Sequence, residues 1–367
     1  MRRMLRSAHR WAGLATIVVV AVLCASGFGL LVGHSFNLSG RIEIHTDTEQ
    51  QAEYAGLDKA LPTISQTYPD HQAGMILASG SPNRAWQVSL RGKGGENAGL
   101  AVQIDPETGR LLSETVAGQS PKDWLLKLHN SLFLGLTGEV LILISAIALM
   151  FLSMTGVLIV PGIWRHLRKG PLWNGVRSLH TWLGLVGAVF LLLWTVTGTA
   201  LLAYKGFADI KPARGRPQMA AAAPGSASPP VDDLPSASLS TILSSVGAAY
   251  PDREIQAVIP GRGARPVAVM MLNRFAPPWE KSATFLFDAH SGEALPARDV
   301  PVFMRVMIAM KSLHTGVWDS PAVYAVYVIM GAVPIILIVT GPWLWVVNRR
   351  RRSKTPAVKK RSLKQRA

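Results

Sequence analysis

The hydrophobic residues of this chain gather into four long runs, and between the runs the pattern changes character. About 20 apolar residues in helical form cross a hydrocarbon layer. The segments Trp11 to Gly33, Val140 to Val160, Leu179 to Ala203 and Val323 to Val347 reach that length and are predicted to be transmembrane helices. The first follows an arginine-rich start like that of a signal peptide. Its run is long and no small-x-small cleavage site follows it, so it is read as a retained helix.

The two long stretches after the first and third runs alternate apolar and polar residues instead. In the first, Leu57 to Tyr68 reads as a short helix ending at Tyr68-Pro69-Asp70, followed by the strand-like runs AWQVSL and LAVQID and the turn Asp105 to Gly109. In the second, Leu239 to Tyr250 ends at Tyr250-Pro251-Asp252, followed by VAVMML, ATFLFD and the turn Asp288 to Gly292. An Asp-initiated, Gly-closed turn between alternating runs is the pattern of a β-hairpin. Each stretch is therefore expected to form a small α+β domain. The Pro, Ala and Ser-rich segment after the third helix, ARGRPQMAAAAPGSASPPVDDLP, reads as a linker.

The helices repeat as well. RSAHRWAGL at Arg6 to Leu14 and RSLHTWLGL at Arg177 to Leu185 share six of nine residues. The expected architecture is an α-helical membrane protein: a four-helix transmembrane bundle with two external α+β domains and an internal parallel two-fold repeat. Its segments are residues 1–33 (start and first helix), 34–119 (first domain), 120–160 (interfacial and second membrane helix), 161–177 (loop), 178–204 (third membrane helix), 205–300 (linker and second domain), 301–347 (interfacial and fourth membrane helix) and 348–367 (basic tail).

Charge orients this layout. Of the 38 Lys and Arg, 18 fall in Met1 to Arg10, Pro161 to Arg177 and Asn348 to Ala367, which hold no Asp or Glu, leaving 20 against all 22 acids elsewhere. By the positive-inside rule both termini are cytoplasmic and the two domains are external. RRRRSK at Arg349 to Lys354 is then a membrane anchor, not a nucleic-acid contact. At 49% hydrophobic and 16% charged, the chain is too apolar for an ordinary soluble enzyme and too charged to lie wholly in lipid. Cys24 stands alone inside the first run, so neither a disulfide nor a thiolate-built cluster is available.

Histidines carry the candidate chemistry. Ser7 and Ser178 suit helix N-caps, which would place His9 and His180 in the first turn of their helices at the cytoplasmic face. Gly13 and Gly184 follow four residues later on the same face, where a missing side chain leaves room for a flat macrocycle. Two helices of this kind could hold one porphyrin, each imidazole an axial ligand. A second pair, His129 and His314, ends the amphipathic segments PKDWLLKLH and VFMRVMIAMKSLH, read as interfacial helices at the outer face. Ser320 and Pro321 suit the N-cap and first position of the fourth membrane helix.

A lone histidine at a helix end is ordinarily an interfacial polar residue; four, paired by topology and repeated in register, point to ligation. Zinc or copper is the alternative, although two histidines per face with no thiol or paired carboxylate make a thin metal site. No C-x-x-C-H occurs, so the expected cofactors are two non-covalent b-type haems. Of the other histidines, His34 could substitute as an outer ligand, while His45, His71, His166 and His290 read as structural or solvent-exposed. The stripe Met304, Met307 and Met310 reads as packing. Glu139 reads as a dipole-stabilised acid at a helix start, with a proton or gating role as the sharper alternative. Trp124 and Trp318 are membrane-belt residues with a possible contact to a substrate or haem edge. GKGGENAG and GRGAR lack the strand-to-helix setting of a phosphate loop, so the electron donor must be external to the chain.

The blocks HRWAGL, LHNSLFLG, LHTWLGL and LHTG, the turns DPETG and DAHSG, and the ending TGPWLWVVNRRRR together resemble the PepSY-associated transmembrane family of bacterial inner-membrane proteins. The resemblance covers nearly the whole chain apart from the linker and tail. It implies two periplasmic PepSY-like domains, two haems, and axial ligation by His9 with His180 on the cytoplasmic side and His129 with His314 on the periplasmic side. Members with this layout include reductases that release iron from ferric siderophores; for this chain a cytoplasmic or quinol electron donor is expected. The alternatives are a quinol-linked or general transmembrane cytochrome with another acceptor, and a non-enzymatic PepSY module that binds a partner.

Overall fold

The computed structural model describes residues 2–33, 38, 40–44, 54–79, 83–92, 97–116, 118–160, 162, 168–169, 175–210, 237–262, 265–273, 276–277, 280, 282–296, 301–316 and 320–353. Four of its helices are long and apolar enough to cross a membrane. They are α1 (Arg2–Gly33), α4 (Leu136–Leu158), α5 (Gly175–Ile210) and α8 (Pro321–Ser353). Helix α1 packs on α4 and α8, and α5 packs on the same two, so α1 and α5 stand diagonally across a four-helix bundle.

Two of these helices begin earlier than the apolar pattern predicted. Arg, Met and Leu are good helix formers, and RRMLR continues α1 back to Arg2. Ser7 and Ser178 therefore lie inside helices and are not N-caps, and His9 and His180 sit deeper than the first turn. The fourth start is as read: α8 opens at Pro321, and the Val323 amide donates to Ser320 Oγ at 3.5 Å.

Two shorter helices precede the second and fourth spans. Helix α3 (Pro121–Ser131) is capped by Ser120 Oγ, which accepts from the Asp123 amide at 3.1 Å, and has Pro121 at its first position. It ends in a reversal with Leu132 and Phe133 at φ 51° and 58° and Gly135 at φ 56°, which turns the chain directly into α4. Helix α7 (Val302–Thr315) ends at Gly316, φ 70°, where a β-carbon would fall 2.4 Å from the Tyr327 ring. Tyr327 donates to the Leu313 carbonyl at 2.7 Å, fixing the end of α7 against α8.

Outside the bundle the two long loops form one antiparallel sheet. Its strands are β1 (His71–Leu77), β2 (Trp86–Gly92), β3 (Asn97–Ile104), β4 (Leu111–Val116), β5 (Arg253–Ile259), β6 (Val267–Asn273) and β7 (Ser282–Phe287), in the order β4-β3-β2-β1-β5-β6-β7. Two separate domains were expected, but β1 and β5 pair directly, Ile76 opposite Val258 and Leu77 opposite Ala257. An exposed strand edge is a row of unpaired donors and acceptors, and this pairing removes one edge from each half. Helices α2 (Leu57–Thr67) and α6 (Leu239–Ala249) cover one face, and Ile64, Ile76, Val88, Leu243, Val258 and Val269 share a single core. The Asp turns form as read: Asp105 Oδ1 accepts from the Glu107 amide at 2.9 Å, and Gly109 and Gly292 take φ of 77° and 72°. Amide donation from Ser291 and His290 holds the Asp288 carboxyl below its usual range. After β7 the second hairpin closes with only an isolated bridge, Phe287 to Ala294.

One carboxylate joins the halves. Asp58, in the first turn of α2, accepts from the Leu239 amide at 2.7 Å and from the hydroxyls of Ser238 and Ser240 at 2.8 and 2.5 Å, all at the N-terminus of α6. Its negative charge thus meets the positive ends of two helix dipoles at once. Replacing Asp58 with Ala should lower the stability of the sheet domain by about 1–2 kcal/mol, read as a shift in the thermal melt of the full chain in detergent. An unchanged melt would mean that the second half holds its own helix start.

Candidate functional site

All four paired histidines point at a hydroxyl on a neighbouring membrane helix. His9 on α1 places Nδ1 2.9 Å from Thr155 Oγ1 on α4. His180 on α5 places Nδ1 2.8 Å from Thr340 Oγ1 on α8. His129 on α3 reaches Ser26 Oγ on α1 at 3.0 Å, and His314 on α7 reaches Thr197 Oγ1 on α5 at 3.0 Å. Each hydroxyl also donates to the carbonyl four residues before it: Ser26 to Val22, Thr155 to Phe151 and Thr197 to Leu193 at 2.7 Å, and Thr340 to Ile336 at 2.8 Å. These hydroxyls are at most 7% exposed, whereas the four rings are only half-buried.

Directly after each hydroxyl residue stands a glycine, and the imidazole lies against it. A β-carbon on Gly27 would fall 2.9 Å from His129 Cε1, and one on Gly198 2.8 Å from His314 Cε1. At Gly156 and Gly341 the gaps to His9 and His180 are 3.5 and 3.6 Å. The four dipeptides Ser26-Gly27, Thr155-Gly156, Thr197-Gly198 and Thr340-Gly341 are thus one seat used four times. The sequence reading missed them; a Ser/Thr-Gly pair in each of the four apolar runs was the available signal. Of the glycines it did single out, Gly184 faces open space and Gly13 has Leu152 at 3.7 Å.

The histidines meet in two groups. His129 and His314 have ring centroids 6.2 Å apart at an interplanar angle of 50°. His9 and His180 are within electrostatic range of each other. Along both α1 and α5, 17 residues separate the histidine from the hydroxyl that serves the other group (His9 to Ser26, His180 to Thr197), which is about 25 Å of helix. The two groups lie near opposite ends of the bundle.

Residues 6–348 match the family described as the PepSY-associated TM region. The chain belongs to that family. This PepSY-associated TM protein is also 40% identical over 80 residues to an uncharacterized protein of Pseudomonas aeruginosa, a match spanning 21% of this chain and 20% of that relative.

The remaining candidates divide clearly. Glu139, in the first turn of α4, is ion-paired with Lys205 of α5, so it ties the two helices together at the sheet-side end. Trp124 is 56% exposed and stacks at 5.0 Å on Phe133, as suits a residue at a membrane boundary. His71 packs edge-on against Tyr68 in the sheet domain, and His290 is exposed in the Asp288 turn. His34, His45, His166 and Trp318 lie outside the described residues.

Among the described residues no group of three or more His, Cys, Asp or Glu side chains could hold a metal ion. A metal at either histidine pair must bring its other ligands with it. A metal–imidazole bond of about 2 Å on each side, plus roughly 1 Å from nitrogen to ring centre, gives about 6 Å between trans imidazole centroids, and the outer pair stands at 6.2 Å. The spacing of that pair fits one iron between two imidazoles.

The glycine distances make the two ends respond differently to one methyl group. Gly198→Ala should destabilise by about 1–3 kcal/mol through overpacking, whereas Gly341→Ala should be neutral or slightly stabilising. Melts of the two variants in detergent check this, and equal effects would show that the tighter fit at the outer end is not real.

Proposed function

We propose that this protein is a bacterial inner-membrane electron carrier that holds two b-type haems and reduces ferric siderophores on the side of its sheet domain. The observation that supports it most is the outer pair, two imidazoles spaced for one iron with their Nδ1 atoms already engaged. In this reading the arginine-rich ends are cytoplasmic, the sheet domain is periplasmic and built from two PepSY-like halves, and the chain is an internal two-fold repeat. The motif offsets of 182 and 183 residues between the halves support the repeat.

His9 with His180, and His129 with His314, would be the axial ligand pairs. When bound there, haem supplies a one-electron couple with both axial positions filled, which favours electron transfer over oxygen chemistry. The chain's own residues do the rest. Ser26, Thr155, Thr197 and Thr340 orient the imidazoles, the apolar bundle keeps water and ions from the path between the two ends, and the sheet domain stands beside the outer pair where a bulky chelate can approach. The balance is simple: one electron from a cytoplasmic flavoprotein or membrane quinol converts the ferric chelate to ferrous iron, which hard oxygen-donor chelators hold more weakly.

Purified protein from haem-replete cells should contain close to two haems per chain by pyridine haemochrome assay. His9→Ala or His180→Ala should remove one spectral component, and His129→Ala or His314→Ala the other; loss of the same component from both ends would break the pairing. In anaerobic stopped flow, reduced protein should be reoxidised by a ferric siderophore with ferrous iron appearing in a chromogenic trap. Rapid reoxidation by a quinone but by no ferric siderophore would instead favour a general transmembrane cytochrome.

A further inference from the structure

A neutral imidazole has one protonated and one unprotonated nitrogen, and its partner decides which is which. Each of the four hydroxyls has a single proton. In all four that proton is directed to a carbonyl of the hydroxyl's own helix, at 2.7 to 2.8 Å. The oxygen is therefore left as an acceptor, and Nδ1 must be the donor.

We infer that Ser26, Thr155, Thr197 and Thr340 are positioning residues that hold His129, His9, His314 and His180 as Nδ1–H tautomers, leaving each Nε2 lone pair free for a metal. Among the described residues no hydrogen bond engages any of these Nε2 atoms. The imidazole edge lies where a side chain would otherwise stand at Gly27 and Gly198, and at ordinary contact distance from a β-carbon at Gly156 and Gly341. A hydroxyl is a weaker acceptor than a carboxylate, so it fixes the proton on Nδ1 without drawing it away. The ligands it prepares are neutral imidazoles, not imidazolates.

The tautomer part rests on the hydrogen bonds alone; its consequence for affinity rests on the haem reading above. The test uses full-length protein with 15N-labelled histidine in nanodiscs, as wild type, Thr197→Val and Thr197→Ser, with Ser26→Ala in case Thr197→Val does not fold. In haem-free protein the nitrogen shifts of His314 should report Nδ1–H in wild type and Thr197→Ser, and a mixture of tautomers in Thr197→Val. With haem added, Thr197→Val should lose affinity at the outer site on the order of 10-fold and alter the ferric low-spin EPR signal, while Thr197→Ser restores both. An Nε2–H form in the wild type, or an unchanged tautomer in Thr197→Val and Ser26→Ala, overturns the inference whether or not haem binds. Wild-type protein that shows Nδ1–H but takes up no haem would refute the haem reading and uphold the tautomer assignment.

Discussion

A helix in hydrocarbon uses every backbone donor and acceptor internally, and a polar side chain placed there has no water to turn to. That constraint governs this bundle. A serine or threonine can satisfy its proton by donating back to the preceding turn, as Ser26, Thr155, Thr197 and Thr340 do. Once the proton is committed, the oxygen remains an acceptor in search of a donor. A histidine on a neighbouring element supplies one, and a buried hydroxyl oxygen gains a partner from a half-buried imidazole. The bond also joins separate elements: α1 to α4, α5 to α8, α3 to α1 and α7 to α5. Lipid tails give helices little hydrophobic reason to associate, so these four links help hold the bundle in register.

The sheet domain works under the opposite solvent rule, where burial of apolar surface drives assembly. Each loop alone would be a small helix-covered sheet of three or four strands with an unprotected edge and little core. Joining β1 to β5 doubles the core and covers both edges, and the Asp58 cap fixes the two helices end to end. Each half of the sheet is followed by a short helix bearing a histidine, His129 on α3 or His314 on α7, and the two rings meet at 6.2 Å.

Much of this was legible in the sequence, and the unread parts share a cause. The four spans, both Asp-Gly turns, the short helices and the Ser320–Pro321 start follow from local periodicity and turn chemistry, which act within a few residues. The four histidines stood out because they recur in register. What stayed hidden depends on long-range contact. Ser26 and His129 are 103 residues apart and His9 and Thr155 are 146 apart, so nothing nearby marks these hydroxyls as partners. Serine and threonine in a membrane helix ordinarily bond their own backbone, which disguised Thr155 and Thr340 as packing residues. Likewise no alternation marks β1 or β5 as a strand, and only their pairing shows one sheet where two were expected.

The two ends of the bundle use the same seat with different tolerances, and the difference has a structural source. His129 and His314 sit on short helices, α3 and α7, that pack onto α1 and α5 beside them. The contact with Gly27 and Gly198 is correspondingly close, with no room for a methyl group. The inner histidines are carried by the long spans themselves, and their rings stand more than half an ångström further from Gly156 and Gly341. A histidine pair on separate docked elements needs tight packing to fix its spacing. A pair carried by continuous helices inherits its position from the bundle and can be packed more loosely. The 17-residue interval from His9 to Ser26, repeated from His180 to Thr197, then sets both groups on one rigid ruler, with α1 and α5 each carrying a histidine of one group and the hydroxyl seat for the other.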